Sequence, residues 1–564
     1  MKKRAGIVAA VLIVALLLSV VTVTTACDNA PKDYMAQIDR NVEQVKVDLP
    51  FSKGVNFSAW FEKTSADQID MTYYTEQEFI DVKNMGVDVV RVPIRFHDMT
   101  DGTEAQTLDP DFLKKLDVIV GFAEKHGLYL ILDNHSWSPV IGTSDDVGEI
   151  LIPVWRQIAE RYKGRDDHLI YELQNEPHEI DQTLWSSIQA DVIEEIKSID
   201  SDCRILVTGT DFSSINGMRA LPKYDYGNII YSFHFYDPYL FTHQGQSWAE
   251  PNMLDLKNVP FPADAHEMPE LPDSLKDTWL KGQYDDYKKV ATVSALEDSL
   301  DRAVEFANEN NVPVFCGEFG VYTRNSMHED RVRWYQIVSE LLRVRNITYT
   351  CWDYYGGFGL YGGGRGDAEY DLDTDIAEAL GFNPPEQKQR EPVTSAFDIY
   401  NNGPVKKYAG ISAVNCAIDY YGEGVPYALK WTDVARYGNI NILFRQEIDF
   451  MSLRDGGYCI TMIVKTDRDT NFNIRLLDGE KNGKIPWRME SEVKLSADDG
   501  WQTVSIRLSD MRESGAWLSE TSEFLSPRGE FRWDDIVSLQ FVAENEALTE
   551  HEILFSEISV TSAV

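Results

Sequence analysis

The sequence predicts an α/β protein with a (β/α)8 TIM barrel followed by an all-β jelly-roll or β-sandwich domain. Three observations lead to this prediction. The chain has 564 residues, which is more than one hydrophobic core normally organises. From about residue 50 to 382, short β-rich runs alternate with stretches of helical period, which is typical of a parallel sheet covered by helices. After about residue 395, only period-two apolar runs remain, which indicates antiparallel strands.

Eight apolar runs form the predicted barrel strands: Gly54–Phe57, Val87–Ile94, Leu128–Asp133, Leu169–Leu173, Arg204–Thr208, Ile229–Phe235, Val312–Cys316 and Thr348–Trp352. The predicted helices between them are Glu76–Met85, Asp111–His126, Ser186–Ile199, Leu296–Asn308 and Arg331–Val344. Eight strands favour a closed barrel. An open doubly wound sheet is the alternative, although no Gly-rich phosphate loop follows the first strand.

The N-terminus has the pattern of an export signal. A basic start, Met1-Lys2-Lys3-Arg4, precedes an apolar run that ends in small residues and Cys27. Residues 1–27 are therefore predicted to be a lipoprotein signal peptide with Cys27 as the lipidation site, and residues 28–49 a tether. Thr24 stands where the lipidation motif usually has Leu, so secretion without a lipid remains the alternative. The expected location is the cell surface or the periplasm.

Composition excludes some partners. With 53 Lys and Arg against 92 Asp and Glu, the net charge is −39, and such a field repels nucleic acid. Neutral polysaccharide is indifferent to it. Membrane contact is expected only through the N-terminal lipid, and a monomer without a cofactor is expected. No zinc site is indicated, because the cysteines have no CxxC spacing.

Polar and aromatic residues gather at or just past the ends of the predicted strands. In a barrel of this type, chemistry takes place at the C-terminal ends of the strands. The residues found there are Asn56, Arg91, His135, Asn175, Glu176, His234, Tyr236, Glu318 and Trp352.

Two of these residues form a pair suited to glycoside hydrolysis. The reaction needs one carboxylic acid to protonate the leaving oxygen and a second carboxylate near the anomeric carbon. Glu176 lies in Asn-Glu-Pro after the fourth strand, and Glu318 in Gly-Glu-Phe-Gly after the seventh. Either motif alone would be weak evidence, but both at one barrel mouth predict a glycosidase.

With these motifs, and with Val-Val-Arg91-Val-Pro, Asp-Asn-His135 and His234-Phe-Tyr236, about 330 residues resemble glycoside hydrolase family 5. The resemblance implies a retaining mechanism in which Glu176 is the acid/base and Glu318 the nucleophile. It further implies that Arg91 and Tyr236 orient Glu318 and that Asn175 binds the sugar 2-hydroxyl.

The remaining predicted substrate-binding residues follow from the same resemblance. His135 and His234 would line the subsite at the cleavage point, with Trp352 beneath the sugar. Asn56 and Trp248 are also assigned to substrate binding. Trp60 is a candidate for an outer subsite, with simple packing in the core as the alternative.

The predicted activity is that of a retaining endo-β-1,4-glucanase acting on plant β-glucan, either cellulose-type or mixed-linkage. The alternatives are a β-mannanase, glucomannanase or xyloglucanase of the same family. His135 is followed by Ser136 where many relatives have a second His. A sugar contact by that second His is therefore missing, and the substrate preference of those relatives applies less directly to this chain. A non-catalytic glycan-binding lipoprotein and a metal-dependent hydrolase are hypotheses from other classes.

The regions around the barrel core carry further expectations. Pro238–Lys288 is a long connection, and connections of that length are usually functional or disordered. Residues 383–394 have the composition of a linker, and residues 395–564 resemble a carbohydrate-binding module, with a purely structural sandwich as the alternative. Its candidate sugar-stacking rings are Trp431, Tyr437, Trp487 and Trp533. Cys416 and Cys459 could form a disulfide.

Overall fold

The computed structural model describes residues 32–136, 147–165, 168–361, 366–401, 403–421, 428–479, 485–518 and 522–562. The predicted signal peptide and the lipidation residue Cys27 lie outside the described residues. Among the residues described, no helix combines the length and the apolar character needed to cross a bilayer.

The first domain is a closed barrel of eight parallel strands, each hydrogen-bonded to the next, with β8 closing onto β1. The strands are β1 Lys53–Asn56, β2 Val89–Ile94, β3 Tyr129–Asn134, β4 Leu169–Glu172, β5 Arg204–Thr208, β6 Ile229–Phe235, β7 Val314–Phe319 and β8 Thr348–Cys351. The predicted fold class is confirmed, and the open-sheet alternative is wrong.

Helices cover the outside of the barrel: α1 Glu76–Asn84, α2 Pro110–His126, α3 Val147–Tyr162, α4 Gln182–Ile199, α5 Thr210–Ser213, α6 Ile215–Arg219, α7 Tyr239–Thr242, α8 Leu280–Val290, α9 Val293–Asn310, α10 His328–Val344 and α11 Thr374–Ala379. Local signals fix several helix ends. Thr75 and Glu78 form a capping box at the start of α1. Asp109 caps α2 before Pro110, and Gly127 ends it with φ 60°.

β7 extends further than the sequence pattern predicts. Its predicted end is Cys316, whereas the strand continues through Phe319 and therefore contains Glu318. The reason is tertiary pairing: His234 of β6 pairs with Glu318 after a register shift at Phe233/His234. Because the pairing partner determines the end of the strand, the period of β7 alone could not give it.

The second domain is a β-sandwich. Its strands are β9 Phe397–Asn401, β10 Ala409–Val414, β11 Ala417–Tyr421, β12 Ala428–Thr432, β13 Asn439–Phe444, β14 Tyr458–Thr466, β15 Thr470–Asp478, β16 Trp487–Leu495, β17 Gln502–Arg507, β18 Arg512–Leu518, β19 Glu523–Leu525, β20 Ile536–Val542 and β21 Ile553–Ser562. One sheet has the order β10-β13-β20-β15-β16-β18-β19, and the other β11-β12-β21-β14-β17, with β9 beside β21. A short helix, α12 Phe450–Asp455, precedes β14.

Two segments predicted as connectors pack against the barrel. In the predicted tether, Ile38 and Val45 are buried, and the amide of Val45 donates to the carbonyl oxygen of Arg345. In the predicted linker, Lys388 pairs with Glu369 at 2.7 Å and Arg390 with Asp371 at 2.6 Å.

The sandwich also contacts the barrel through a buried lysine. Lys406 Nζ, which comes from the sandwich, ion-pairs with Glu78 of α1 and donates to the carbonyl oxygen of Tyr73 at 2.8 Å. The Lys406 and Glu78 side chains are only 10% and 3% exposed. The ion pair therefore fixes the two domains to each other at a point shielded from water.

The structure does not contain the disulfide considered from the sequence. Cys416 and Cys459 are both free thiols. Cys416 Sγ instead donates to the carbonyl oxygen of Asn439 at 3.2 Å.

Candidate active site

The predicted catalytic residues converge at one mouth of the barrel. A carboxylate oxygen of Glu176, a ring nitrogen of His234 and a carboxylate oxygen of Glu318 all lie within 4.8 Å of one another. They reach this mouth from three places in the chain, after β4, at the end of β6 and at the end of β7. Parallel strands of a closed barrel present their carboxyl ends together, which explains the convergence.

Arg91 of β2 lies fully buried beneath this mouth and contacts several of its acidic side chains. Its Nη1 donates to Glu318 Oε1 at 2.8 Å, and its Nε donates to Glu172 Oε2 at 2.6 Å. Its Nη2 lies 3.0 Å from Asp133 Oδ2. One guanidinium thus faces three buried carboxylates, so removing it would leave several negative charges without compensation.

Glu318 is held in the ionised form. Burial alone would raise the pKa of this carboxyl, but His234, Arg91 and the Tyr236 hydroxyl hold the pKa below its usual value. Tyr236 donates to Glu318 Oε2 at 2.9 Å, while Arg91 binds the other oxygen. Both oxygens are therefore fixed in orientation, and the group is charged at neutral pH, as a nucleophile requires.

Glu176 is more accessible than Glu318, with a side chain that is 19% exposed. His234 Nδ1 lies 2.7 Å from Glu176 Oε1 and 3.5 Å from Glu318 Oε2. Burial opposes the charged imidazole, but the two carboxylates raise the pKa of His234. His234 therefore bridges the two carboxylates and couples their charges.

Glu176 also has an unusual backbone conformation. Its φ is 42°, in the left-handed region that residues with a side chain rarely adopt. Such conformations persist where the surrounding structure determines them, and they concentrate at functional sites.

The walls of the mouth carry His135, Asn175 and Trp352. The rings of His135 and Trp352 are nearly parallel, with centroids 5.7 Å apart. Asn175 Oδ1 accepts from Arg91 at 2.9 Å, and its Nδ2 lies 3.4 Å from His135 Nε2. Burial lowers the pKa of His135, but Asp133, Glu62 and Glu318 outweigh it and raise the pKa to about 9.

Trp248 lies at the edge of the same mouth. It is 55% exposed and packs edge-on against Tyr322 at 4.8 Å. Its ring is also 5.9 Å from that of Phe358 and 6.1 Å from that of His243. An exposed ring supported from below in this way can stack on a sugar.

Two predicted substrate contacts, Asn56 and Trp60, need correction, because both residues are fully buried. Asn56 is fully buried, donates to the carbonyl oxygens of Gly317 and Cys351 at 3.1 Å each, and accepts from Arg91. Arg91, equally buried, positions Glu318 rather than touching a sugar. Trp60 is also fully buried, and its Nε1 donates to the carbonyl oxygen of Asp70 at 3.0 Å, so it belongs to the core.

Two buried acids that the sequence pattern did not predict as site residues, Asp133 and Glu172, lie beside Arg91. Burial raises the pKa of Glu172 to about 7, although the Arg91 charge opposes this rise. Asp133 Oδ2 accepts from His135 Nδ1 at 2.7 Å. An acidic residue inside an apolar strand run is the signal that could have identified them, because such residues are rarely buried without a partner.

His97 is a further residue that the sequence pattern did not predict at the site. Its Nε2 lies 3.2 Å from Asn134 Nδ2, and its backbone amide donates to Ser136 Oγ at 3.0 Å. A histidine from the loop after β2 therefore lies beside Ser136, the position where many relatives have a second histidine.

Three groups of side chains bring potential cation ligands close together among the described residues. One is the trio Glu176, His234 and Glu318; the others are His266 with Glu329 and Asp330, and His328 with Asp373 and Asp375. In the two outer groups, His266 and His328 lie 3.4 Å and 2.9 Å from Asp330 and Asp373, which is within ion-pairing distance.

Comparisons with known proteins agree with this geometry. Residues 52–357 match the model of the cellulase family, glycosyl hydrolase family 5. Endoglucanase C of Acetivibrio thermocellus is 27% identical over 319 residues, which cover 54% of this chain and 92% of that protein.

Two further matches extend the comparison. Endoglucanase H of Acetivibrio thermocellus is 25% identical over 502 residues, or 84% of this chain and 50% of that protein. That alignment is longer than the barrel domain and therefore extends into the sandwich. A crystal structure of a hyperthermophilic endo-β-1,4-glucanase with substrate is 26% identical, with a TM-score of 0.50, and covers 59% of this chain and 97% of that one.

The family match covers more than half of the chain and includes both strand-end glutamates, and the barrel and its mouth have the geometry that the match requires. This chain is a glycoside hydrolase and belongs to glycoside hydrolase family 5.

Proposed function

We propose that this enzyme is a retaining endo-β-1,4-glucanase that hydrolyses cellulose-type or mixed-linkage β-glucan. The observation that carries the proposal is the spacing of the two glutamates, whose nearest carboxylate oxygens lie within 4.8 Å. Retaining enzymes hold their carboxyl groups roughly 5–5.5 Å apart, whereas inverting enzymes need about 6.5–9.5 Å to admit a water. The short spacing supports direct attack by one carboxylate.

In the first step, ionised Glu318 attacks the anomeric carbon and Glu176 gives its proton to the glycosidic oxygen. The bond to the leaving chain breaks as the bond to Glu318 forms. In the second step, Glu176 takes a proton from a water, the water oxygen attacks the same carbon, and Glu318 is released as a carboxylate. The enzyme returns to its starting state with one proton on Glu176.

The charge arrangement suits this cycle. Arg91 and Tyr236 each bind one oxygen of Glu318, so the attacking group is oriented before substrate arrives. His234 contacts Glu176 and can stabilise it when it is ionised in the intermediate. Asn175 is oriented by Arg91 and has its amide NH2 group available for the sugar.

The first experiment measures hydrolysis of barley β-glucan, carboxymethyl-cellulose, glucomannan and xyloglucan, with products resolved by length. We expect the highest rate on one of the first two polymers and products from the middle of the chain. A preference for glucomannan or xyloglucan would support the alternative specificity. Failure of all four polymers to yield new reducing ends would contradict the hydrolase proposal and support a glycan-binding role.

Variants assign the two roles. Glu176→Gln and Glu318→Gln should both lose activity, whereas Glu179→Gln, the same change at an exposed position three residues from Glu176, should retain it. With azide, Glu176→Ala should give a β-glycosyl azide from the covalent intermediate, and Glu318→Ala an α-glycosyl azide by direct attack. The opposite pattern of anomers would contradict the assignment.

We also propose that the sandwich binds glycan, through the solvent face of its seven-stranded sheet. Trp517 and Phe524 are 43% and 51% exposed and pair on β18 and β19. Of the rings proposed from sequence, Trp431 and Trp487 are buried, so they support the core instead. Trp533 is half-buried with the Arg454 guanidinium over its ring at 5.1 Å, and Tyr437 is exposed.

Binding of the inactive Glu176→Gln chain to insoluble β-glucan tests this role. Trp517→Ala should reduce the bound fraction, and Trp501→Ala, which removes another exposed ring of the sandwich, should not. Equal binding by all three proteins would favour the purely structural sandwich.

Export and lipidation at Cys27 are proposed from the sequence of residues 1–27. In bacterial cells the wild type should enter the membrane fraction and incorporate labelled palmitate, whereas Cys27→Ser should be exported but soluble. Soluble, unlabelled wild-type protein outside the cytoplasm would favour simple secretion.

A further inference from the structure

A row of aromatic rings leaves the catalytic centre over the connection after β6. Tyr236, which binds Glu318, lies 5.0 Å from the ring of His243. His243 stacks on Tyr239 with centroids 4.2 Å apart and an angle of 20°. Tyr239 in turn lies 5.7 Å from Trp279, which is 54% exposed. The row therefore ends in a large ring open to solvent.

The row is uncharged near its centre and is joined by hydrogen bonds to the end of β6. Burial lowers the pKa of His243 to about 3, so its ring is neutral at any pH at which such an enzyme works. Thr242 Oγ contacts His243 Nδ1 at 3.0 Å and donates to the carbonyl oxygen of Tyr236 at 2.7 Å. The rings are thus fixed to the same strand end that carries the catalytic residues.

The row begins beside both carboxylates, because Tyr236 binds Glu318 at 2.9 Å and is two residues from His234, whose Nδ1 lies 2.7 Å from Glu176 Oε1. Burial and the negative charge of Glu176 both raise the pKa of the Tyr239 hydroxyl. Glu176 gives its proton to the bridging oxygen, so its surroundings are where the leaving portion of the chain begins. Tyr239 and Trp279 extend away from that point.

A cavity of about 530 Å³ adjoins the two rings. Its lining combines the rings with polar groups, among them Gln283, Asp286 and Arg302. Small-molecule sites commonly have volumes of roughly 300–1,000 Å³ and a few polar groups beside apolar surface. Sugars present flat C–H faces and equatorial hydroxyls, and rings flanked by amide, carboxylate and guanidinium groups match both.

Packing does not account for Trp279. More than half of its surface is exposed, whereas Leu280, which follows it, and Tyr287, two turns further along the same helix face, are buried and hold α8 against the barrel. A large apolar ring kept in solvent at the end of a fixed aromatic row is a feature of binding sites.

We propose that Tyr239 and Trp279 form a further glycan subsite that holds the leaving-group portion of a β-glucan chain. The subsite rests on the proposed hydrolytic function and extends it, since it names where the polymer continues after the scissile bond. It also gives the long connection Pro238–Lys288 a role in substrate length preference.

The experiment compares β-cellobiosyl fluoride, whose leaving group is a single atom, with cellohexaose, whose leaving portion extends over several sugars. We expect Trp279→Ala to lower kcat/KM on cellohexaose about five- to tenfold and to leave the fluoride unchanged. Trp279→Phe should restore most of the loss. Leu254→Ala, which changes another exposed apolar residue of the same connection, should match the wild type on both substrates.

A second readout uses acceptor binding. A retaining enzyme transfers its glycosyl intermediate to sugars bound on the leaving-group side, so Trp279→Ala should also reduce transglycosylation products from the fluoride when cellobiose is added. Equal kcat/KM ratios in wild type and Trp279→Ala would overturn the subsite while leaving the hydrolase proposal intact. Inactivity of the wild type on both substrates would overturn the hydrolase proposal and the subsite with it.

Discussion

The buried ion pair between the domains gives a prediction whose size can be worked out from contacts. Lys406→Met removes the charge with which the sandwich pairs Glu78. Glu78 keeps its bonds from the Thr75 amide at 2.6 Å, the Thr75 hydroxyl at 2.9 Å and the Tyr355 hydroxyl at 3.0 Å. Removing one partner of a buried pair costs about 3–5 kcal/mol. Because three hydrogen bonds remain, we expect the lower end, about 3 kcal/mol.

The loss should depend on pH. Burial raises the pKa of Glu78, but Lys406 and the Thr75 bonds hold it below its usual value of 4.5. In the wild type this contributes stability that is present above pH 4.5 and lost as the pH falls further. In Lys406→Met the burial of Glu78 is no longer offset by the lysine charge, so the pKa of Glu78 rises. The variant therefore loses stability at neutral pH, where Glu78 is charged, and regains stability as the pH falls and Glu78 is protonated. The difference between the two proteins should therefore shrink from pH 7 towards pH 4.5.

Urea unfolding followed by tryptophan fluorescence at pH 7 and pH 4.5 measures both effects. Lys388→Met is the matched control, because its pair with Glu369 is about half exposed on both sides and such pairs contribute little. Glu78→Gln combined with Lys406→Met should recover part of the loss by removing the unpaired charge. The reasoning is refuted if the two lysine variants unfold alike at pH 7, or if the loss from Lys406→Met does not change with pH.

Three more predictions concern the catalytic domain. Tyr236→Phe should lower kcat about 10- to 100-fold, since a hydrogen bond to a charged group contributes about 1.5–3 kcal/mol. The acid limb of its pH–rate profile should shift to higher pH, because this hydrogen bond lowers the pKa of Glu318. An acid limb at the same pH as in the wild type would contradict this prediction. Nitrogen-15 NMR of His135 should show a protonated ring at pH 7 that titrates near pH 9, and a midpoint at its usual value would argue against the Asp133 contact. Trp60→Ala should cost about 3–5 kcal/mol in urea unfolding, whereas Trp248→Ala should not measurably change stability; similar losses would contradict their contrasting burial.

The sequence by itself determined the barrel and identified the two strand-end glutamates that we propose as the catalytic pair. Strand runs and helical-period runs are local signals, and eight strand runs in series with helical stretches between them leave few topologies that satisfy short right-handed connections. Arg204–Thr208 and Ile229–Phe235 were located to the residue. Glu176 and Glu318 were identifiable because their motifs follow strands, and barrel closure brings all such positions to one mouth.

The exposure of single residues was decided only by the tertiary structure. Trp60 and Trp279 look alike as aromatic residues in polar loops, yet one is fully buried and the other is 54% exposed. Burial depends on which distant segments close over a position, and no local period encodes that.

The pairing of buried charged residues was also decided only by the tertiary structure. The pairing of Glu172 and Asp133 with Arg91, and of Lys406 with Glu78, joins residues far apart in sequence. Each charged group is unfavourable to bury alone and acceptable only with its partner. Sequence therefore established the fold and located the two strand-end glutamates, while the packed structure decided which of the surrounding residues are exposed at the mouth and which are buried beneath it.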